Sequence, residues 1–302
     1  MKVTSEKTVS RSLAAPTLAD YVELTKPGIT MLVLASMAIG FFLGSAGTIS
    51  YITLFHAVLG TLLIAGGTAA HNQYIERDLD KLMIRTSNRP LPMERISPAH
   101  ALLFSTSLIL AGFAWLVFMV NPVAGFVSGI TTILYLAAYT PLKRISFANV
   151  IVGSVPGALP PVGGWAAATG TITDPGMWIL FGIVFLWQIP HVVSIAWLCN
   201  EDYTKAGFRM LPANDTDGWV SGMVVFACLL LLLPVSAMLY AIGINGWIYL
   251  TGATLAGLYF TWYGWKFLMT RTKVTAKKLM FSSLFYLPLI WIFILADRFI
   301  GW

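Results

Sequence analysis

The feature that most restricts this chain is where its charges are missing. Between Lys26 and Glu76 lie 49 residues with no Asp, Glu, Lys or Arg. Arg95 to Lys143 encloses 47, Arg144 to Glu201 encloses 56 interrupted only by Asp174, Asp217 to Lys266 encloses 48, and Lys278 to Asp297 encloses 18. One helix of 48 residues would be about 72 Å long, whereas a bilayer's hydrocarbon core is about 30 Å thick. Each long stretch therefore predicts two membrane-spanning helices and a turn. Turn signals sit near each middle: Gly44-Ser45-Ala46-Gly47, Asn121-Pro122, Thr169 to Gly176 with Asp174-Pro175, and Gly243-Ile244-Asn245-Gly246. Four hairpins and one final helix predict an all-α polytopic membrane protein of nine spans. The apolar runs do not alternate, which excludes a transmembrane β-barrel.

Composition agrees. Charged residues make up 11 % and hydrophobic residues 57 %, against about 25 % charged in a soluble protein. Disorder, coiled coil and a disulfide scaffold are excluded on the same ground; the two cysteines, Cys199 and Cys228, predict no disulfide framework. The first apolar run is long and lacks a small-residue cleavage site, so no cleaved signal peptide is expected. Residues 1–20 read as a flexible cytoplasmic tail and 21–302 as a single transmembrane domain.

With the N-terminus inside, 18 of the 19 basic residues fall on the cytoplasmic face and only Arg298 outside, as the positive-inside rule requires. The net charge of +6 is then an orientation signature and points to no nucleic acid. Trp165, Trp178, Trp247, Tyr249 and Trp302 stand at proposed span ends, where interfacial anchors are expected.

Eleven of the 13 acidic residues also fall on the cytoplasmic side, most of them in two loops four helices apart. In the first, a helix continued to Asp80 places Asn72, Glu76 and Asp80 at i, i+4 and i+8, on one face. Two carboxylates and an amide oxygen make a hard-oxygen set suited to Mg²⁺, which takes few protein ligands and completes its shell with water and phosphate. Asp78 points away from that face. Arg85 and Arg89 follow at four-residue spacing, and guanidinium forks suit phosphate oxygens. In the second loop Glu201, Lys205 and Arg209 are four apart, with Asp202 beside them. They fit either a facing metal or diphosphate site or an intrahelical ion pair. A third patch, Tyr139-Thr140-Pro141-Leu142-Lys143-Arg144, fits phosphate binding or plain positive-inside signalling. His191 lies about 16 Å deeper than Asp202 along a continuous helix, with Gln188 one turn before it. Pro190 breaks the helix beside them, so they face a cavity or bond a neighbouring helix.

These residues resemble the UbiA-type intramembrane prenyltransferases and, within them, the haem O synthase group (protohaem IX farnesyltransferases). The strings that carry the likeness are Glu76-Arg77-Asp78-Leu79-Asp80, Arg85-Thr86, Arg89-Pro90-Leu91, Tyr139 to Arg144, Trp187-Gln188-Ile189-Pro190-His191, Asp202-Tyr203, Ala206-Gly207 and Met210-Leu211-Pro212. The likeness spans residues 20–298. Two departures stand out. In the superfamily pattern Asn-Asp-x-x-Asp-x-x-x-Asp, Gln73 replaces the first Asp and Glu76 the middle one. The second pattern, Asp-x-x-x-Asp, falls on Cys199 and Tyr203, so Glu201 and Asp202 must substitute.

The resemblance implies a helical bundle with a central cavity and transfer of a farnesyl group from farnesyl diphosphate to a vinyl group of haem b, water being added. It implies Asn72, Glu76, Asp80 and Asp202 as catalytic residues, and these four with Glu201 as Mg²⁺ ligands. Arg85, Arg89, Lys143, Arg144 and Lys205 would bind diphosphate and His191 haem. A bacterial plasma membrane is the expected setting, with haem A synthase or a terminal oxidase as recipient of the product. The alternatives are a quinone-precursor prenyltransferase, a secondary transporter, whose charges belong nearer the midplane, and a haem scaffold, which needs no Asn/Glu/Asp stack.

Overall fold

Prolines and short polar side chains set where the helices begin. The computed structural model describes residues 16–215 and 217–300; Lys2, Lys7, Arg11 and Trp302 lie outside them. The helices in order are α1 (Leu18–Leu24), α2 (Pro27–Gly44), α3 (Tyr51–Asp80), α4 (Pro98–Met119), α5 (Pro122–Leu142), α6 (Asn149–Thr169), α7 (Pro175–Leu198), α8 (Asn200–Lys205), α9 (Trp219–Ala241), α10 (Trp247–Thr270) and α11 (Lys273–Ile300). Pro27, Pro98, Pro122 and Pro175 stand at first helical positions, where no N–H is needed. Ser50, Ser97, Asn121 and Asp174 cap α3, α4, α5 and α7 through their side-chain oxygens. Every expected turn falls between two helices.

Among the described residues there is no strand, and eight helices (α2 to α7, α9 and α11) are long and apolar enough to cross a membrane. The chain is an all-α integral membrane protein. The remaining long helix, α10, has 24 residues but is less apolar. Helix α1 begins within the segment read as a tail: Thr17 and Asp20 form a reciprocal capping box that starts it at Leu18.

The helices approach closely where side chains are absent. A Cβ added to Gly40 would stand 1.9 Å from the Pro161 carbonyl oxygen, and one on Gly164 would stand 1.8 Å from that of Met37. The α2–α6 contact is therefore backbone against backbone, the small-residue packing that lets membrane helices gain dispersion energy. In α5 the turn pattern widens to a π-helix over Leu134–Tyr139, with the Thr140 hydroxyl donating to the Tyr135 carbonyl at 2.8 Å. Such widenings often accompany functional sites; this one precedes Lys143.

At the end of the bundle that carries Asn121 and Asn245, polar groups serve structure. The buried Asp297 carboxylate accepts from the backbone N–H groups of Gly246, Ile248 (3.1 Å) and Tyr249 (3.2 Å), capping α10 from the far end of the chain. Trp178 and Trp247 are exposed, as anchors should be. Trp165 and Tyr249 are not anchors: both are buried, and the Tyr249 hydroxyl donates to the Ser236 carbonyl at 2.8 Å. Each is large enough to fill space between helices, which outweighs its interfacial preference here. Cys199 and Cys228 are free.

Candidate active site

The opposite end of the bundle gathers segments far apart in sequence. Helix α3 does continue to Asp80, and Asn72, Glu76 and Asp80 are all buried on one face. Asp78 points to solvent beside Arg77, at 3.6 Å. The loop after α3 folds back because Met83, Leu91 and Ile96 bury their side chains; the loop after α7 does the same through Phe208, Met210 and Leu211.

Every member of the stack meets a cation or a polar group. The Asn72 amide oxygen accepts from Lys26 Nζ at 2.7 Å, and its amide nitrogen donates to Thr140 Oγ1 at 3.2 Å. Glu76 Oε1 lies 2.7 Å from Lys143 Nζ, which also sits 4.6 Å from the centre of the Tyr139 ring. Asp80 Oδ2 lies 2.7 Å from Arg89 Nη1, while its Oδ1 is buried without a partner. The loops meet where the Arg85 backbone N–H donates to Asp202 Oδ2 at 3.3 Å and its guanidinium to the Tyr203 hydroxyl at 3.4 Å. The Arg209 N–H donates to the Lys143 carbonyl at 2.7 Å, and Asn149 donates to the Arg209 carbonyl at 2.9 Å, so the α5–α6 connection joins the same cluster.

Three expected residues stand outside it. Glu201 turns to Lys273, 2.8 Å away, so of the two acidic residues in the second loop Asp202 is the one that faces the first loop. Arg144 and Lys205 are exposed at the rim. Lys26 is the residue that sequence reasoning missed. It precedes Pro27, which disfavours the right-handed helical region, and adopts φ 48° and ψ 64°. That conformation costs an L-residue about 1–2 kcal/mol and accompanies an ammonium group bonded to Asn72. The available signal was a lysine at a helix N-terminus, where the dipole disfavours it. Burial pulls the Lys26 ammonium down to about 7; Arg89 and Lys143 add to the fall, and Glu76 and Asp80 oppose it. Burial also acts to lower Lys143, but Tyr139 and Glu76 outweigh it and hold that group above the usual lysine range.

Gln73, which stands in place of the first Asp of the superfamily pattern, serves structure. Its amide donates to the Glu23 and Leu24 carbonyls at 3.2 and 3.1 Å, fastening the end of α1. Helix α1 is held from the other side by Arg95, which pairs with Asp20 and, at 2.8 Å, with Glu23.

A divalent cation fits the donor set. The oxygens of Asn72, Glu76 and Asp80 are hard ligands, and the orphaned Asp80 Oδ1 supplies a buried lone pair with nothing to receive it. Among the described residues no three His, Cys, Asp or Glu side chains converge on one point. The protein's share would be the small ligand count that Mg²⁺ takes when substrate phosphate completes its shell.

Deeper in the bundle, His191 packs on Trp187 with ring planes 12° apart, and its Nδ1 lies 2.7 Å from Ser283 Oγ of α11. Gln188 Nε2 donates to the Gly153 carbonyl at 3.4 Å.

Residues 33–288 match the model of the UbiA prenyltransferase family. The chain belongs to that family. Relatives include a protoheme IX farnesyltransferase of Solibacter usitatus, 43 % identical over 93 % of this chain and 99 % of that protein. Another, of Koribacter versatilis, is 38 % identical over 98 % of both. Among solved structures, a digeranylgeranylglyceryl phosphate synthase superposes with a TM-score of 0.78 at 18 % identity, over 93 % of this chain and 98 % of the other. A UbiA homologue from Archaeoglobus fulgidus bound to GPP and Mg²⁺ gives 0.66 at 16 %, over 91 % and 99 %. These identities establish a shared fold. Within this family's fold, the Asn72–Glu76–Asp80 stack and the Asp202 loop occupy one end of the bundle.

Proposed function

We propose that this enzyme transfers the farnesyl group of farnesyl diphosphate to a vinyl group of haem b, with addition of water, giving haem O. The observation that carries this is the convergence of Lys26, Arg85, Arg89 and Lys143 on Asn72, Glu76, Asp80 and Asp202. Full-length relatives named protoheme IX farnesyltransferase support the choice of acceptor.

In this reading Asn72, Glu76 and Asp80, with Asp202 across the gap, would hold Mg²⁺, which when bound would supply positive charge to the diphosphate. Lys143 and Arg89 neutralise Glu76 and Asp80 and stand ready to bond phosphate oxygens; Lys26 and Arg85 reach the same space. Such preorganised donors stabilise the charge that appears on diphosphate as the allylic C–O bond breaks. The farnesyl tail lies among apolar helices below. His191 would hold the haem iron and so fix the acceptor beside the diphosphate site, where positioning contributes to catalysis. Arg144 and Lys205 belong to the basic rim that gathers the anion. The nine spans, the cytoplasmic placement of this end, the bacterial plasma membrane and delivery of the product to haem A synthase or a terminal oxidase belong to the same proposal.

The test is to mix purified protein, haem b, farnesyl diphosphate and Mg²⁺ and to weigh the haem by mass spectrometry. Haem gaining one farnesyl and one hydroxyl group, with diphosphate released and the second proton of water lost to solvent, supports the reading, and EDTA should abolish the gain. Transfer to a quinone precursor with haem b untouched would overturn it, and activity persisting in EDTA would overturn the metal.

A further inference from the structure

One hydroxyl decides which nitrogen of His191 is free. Ser283 Oγ lies 2.7 Å from His191 Nδ1 and 2.6 Å from the Met280 carbonyl oxygen. A hydroxyl has one proton, and a carbonyl oxygen can only accept. Both contacts are satisfied only if the serine proton goes to Met280 and His191 Nδ1–H donates to Ser283 Oγ. The imidazole is then the Nδ1–H tautomer, and Nε2 carries a bare lone pair.

Three further contacts brace the ring and the backbone on either side of the serine–histidine pair. Trp187 stacks on it with centroids 5.1 Å apart, and the Trp187 indole N–H donates to the Ser283 carbonyl at 2.7 Å. Ser194 Oγ donates to the His191 carbonyl at 2.7 Å, one turn after Pro190 interrupts the α7 ladder. Ser283 and Ser194 are fully buried, whereas the His191 residue is half-buried. The ring thus has a fixed inner edge and a reachable outer one. This is the arrangement of a ligating histidine whose other N–H is held by a neighbouring oxygen acceptor.

We infer that Ser283 is a positioning residue that sets the His191 tautomer and presents Nε2 as an electron-pair donor to a bound iron porphyrin. The inference rests on the haem reading of His191. In this assignment Ser283 acts through the imidazole, to which its hydroxyl is bonded.

Two measurements separate the inference from that reading. Two-bond ¹H–¹⁵N spectra of ¹⁵N-histidine-labelled protein without haem report the tautomer directly. Wild type and Ser283→Thr, which keeps the hydroxyl, should show protonated Nδ1 and bare Nε2; Ser283→Ala should show a mixture. A wild-type Nε2–H tautomer would overturn the inference. Haem b titration followed at the Soret band supplies the second readout. Ser283→Ala should bind haem b about 10- to 100-fold more weakly, the usual loss on removing a group that orients a metal-bound imidazole, and Ser283→Thr should recover most of it. If His191→Ala alters the Soret band and Ser283→Ala changes neither band nor affinity, the role of Ser283 is refuted and that of His191 stands. If His191→Ala leaves haem binding unchanged, both fall.

Discussion

Asp80→Asn removes one charge from the most enclosed carboxylate of the site. The Asp80 side chain is 1 % exposed and its Oδ2 lies 2.7 Å from Arg89, whose side chain is 20 % exposed. Unit charges about 4 Å apart attract by about 4 kcal/mol at an effective dielectric of about 20. Desolvation of the carboxylate offsets much of that, and Asn keeps an acceptor for Arg89. The net loss of stability is about 1–2 kcal/mol, the difference between a charged and a neutral hydrogen bond. The catalytic loss should be larger, about 10²–10³-fold in turnover, as when one preorganised charge-stabilising group is deleted. Thermal unfolding in detergent gives a second measure. Inorganic pyrophosphate with Mg²⁺ at about 100 times its Kd should stabilise wild type by about 2.7 kcal/mol, and the same concentration should stabilise Asp80→Asn far less. Asp78→Asn is the control: that side chain is 73 % exposed, and its loss should change stability by less than about 0.5 kcal/mol. If Asp78→Asn proves the more damaging, or if Asp80→Asn keeps the wild-type shift with pyrophosphate, the site is not on the Asn72–Glu76–Asp80 face.

Lys26→Gly relieves the positive φ but loses the bond to Asn72 and gains unfolded-state entropy, so the unfolding midpoint should move by less than the equivalent of about 1 kcal/mol, while pyrophosphate binding weakens in a calorimetric titration. Asp297→Ala should cost about 2–4 kcal/mol, because the N-terminal N–H groups of α10 lose a charged acceptor, with turnover per folded molecule unchanged. The N–H and hydroxyl of Thr17, and then Arg95, hold the Asp20 carboxyl below its ordinary value. A depressed carboxylate stabilises the fold above the unfolded value of 3.8 and loses that contribution as pH falls through the folded one. Asp20→Asn should therefore be less stable than wild type at pH 7, and in thermal scans the gap should narrow as the pH falls below 3.8 and close once it has passed the lowered folded-state value. Cysteines placed at Ser45 and Ser87 should, in intact spheroplasts, be labelled by an impermeant reagent at the first position and spared at the second; the reverse pattern would invert the topology.

Some of this protein could be read along the chain because its cause is local. Charge-free stretches have to sit in hydrocarbon, prolines and short polar caps have to begin helices, and a period of 3.6 residues puts Asn72, Glu76 and Asp80 on one face and Asp78 on the other. Those relations need only covalent spacing and helix geometry. What had to wait for the tertiary structure were partnerships between residues far apart. Lys26 bonds Asn72 across 46 positions and Arg85 meets Asp202 across 117. Glu201 turns to Lys273 although its neighbour faces the first loop. Asp297 caps a helix that begins 50 residues earlier, and Ser283 holds an imidazole 92 positions away. Trp165 and Tyr249 have the composition of interfacial anchors, yet packing turned them inward. Glu201 and Asp202 show the reason most plainly: adjacent carboxylates leave the chain toward different partners, and only the packing of neighbouring segments selects which one meets the first loop.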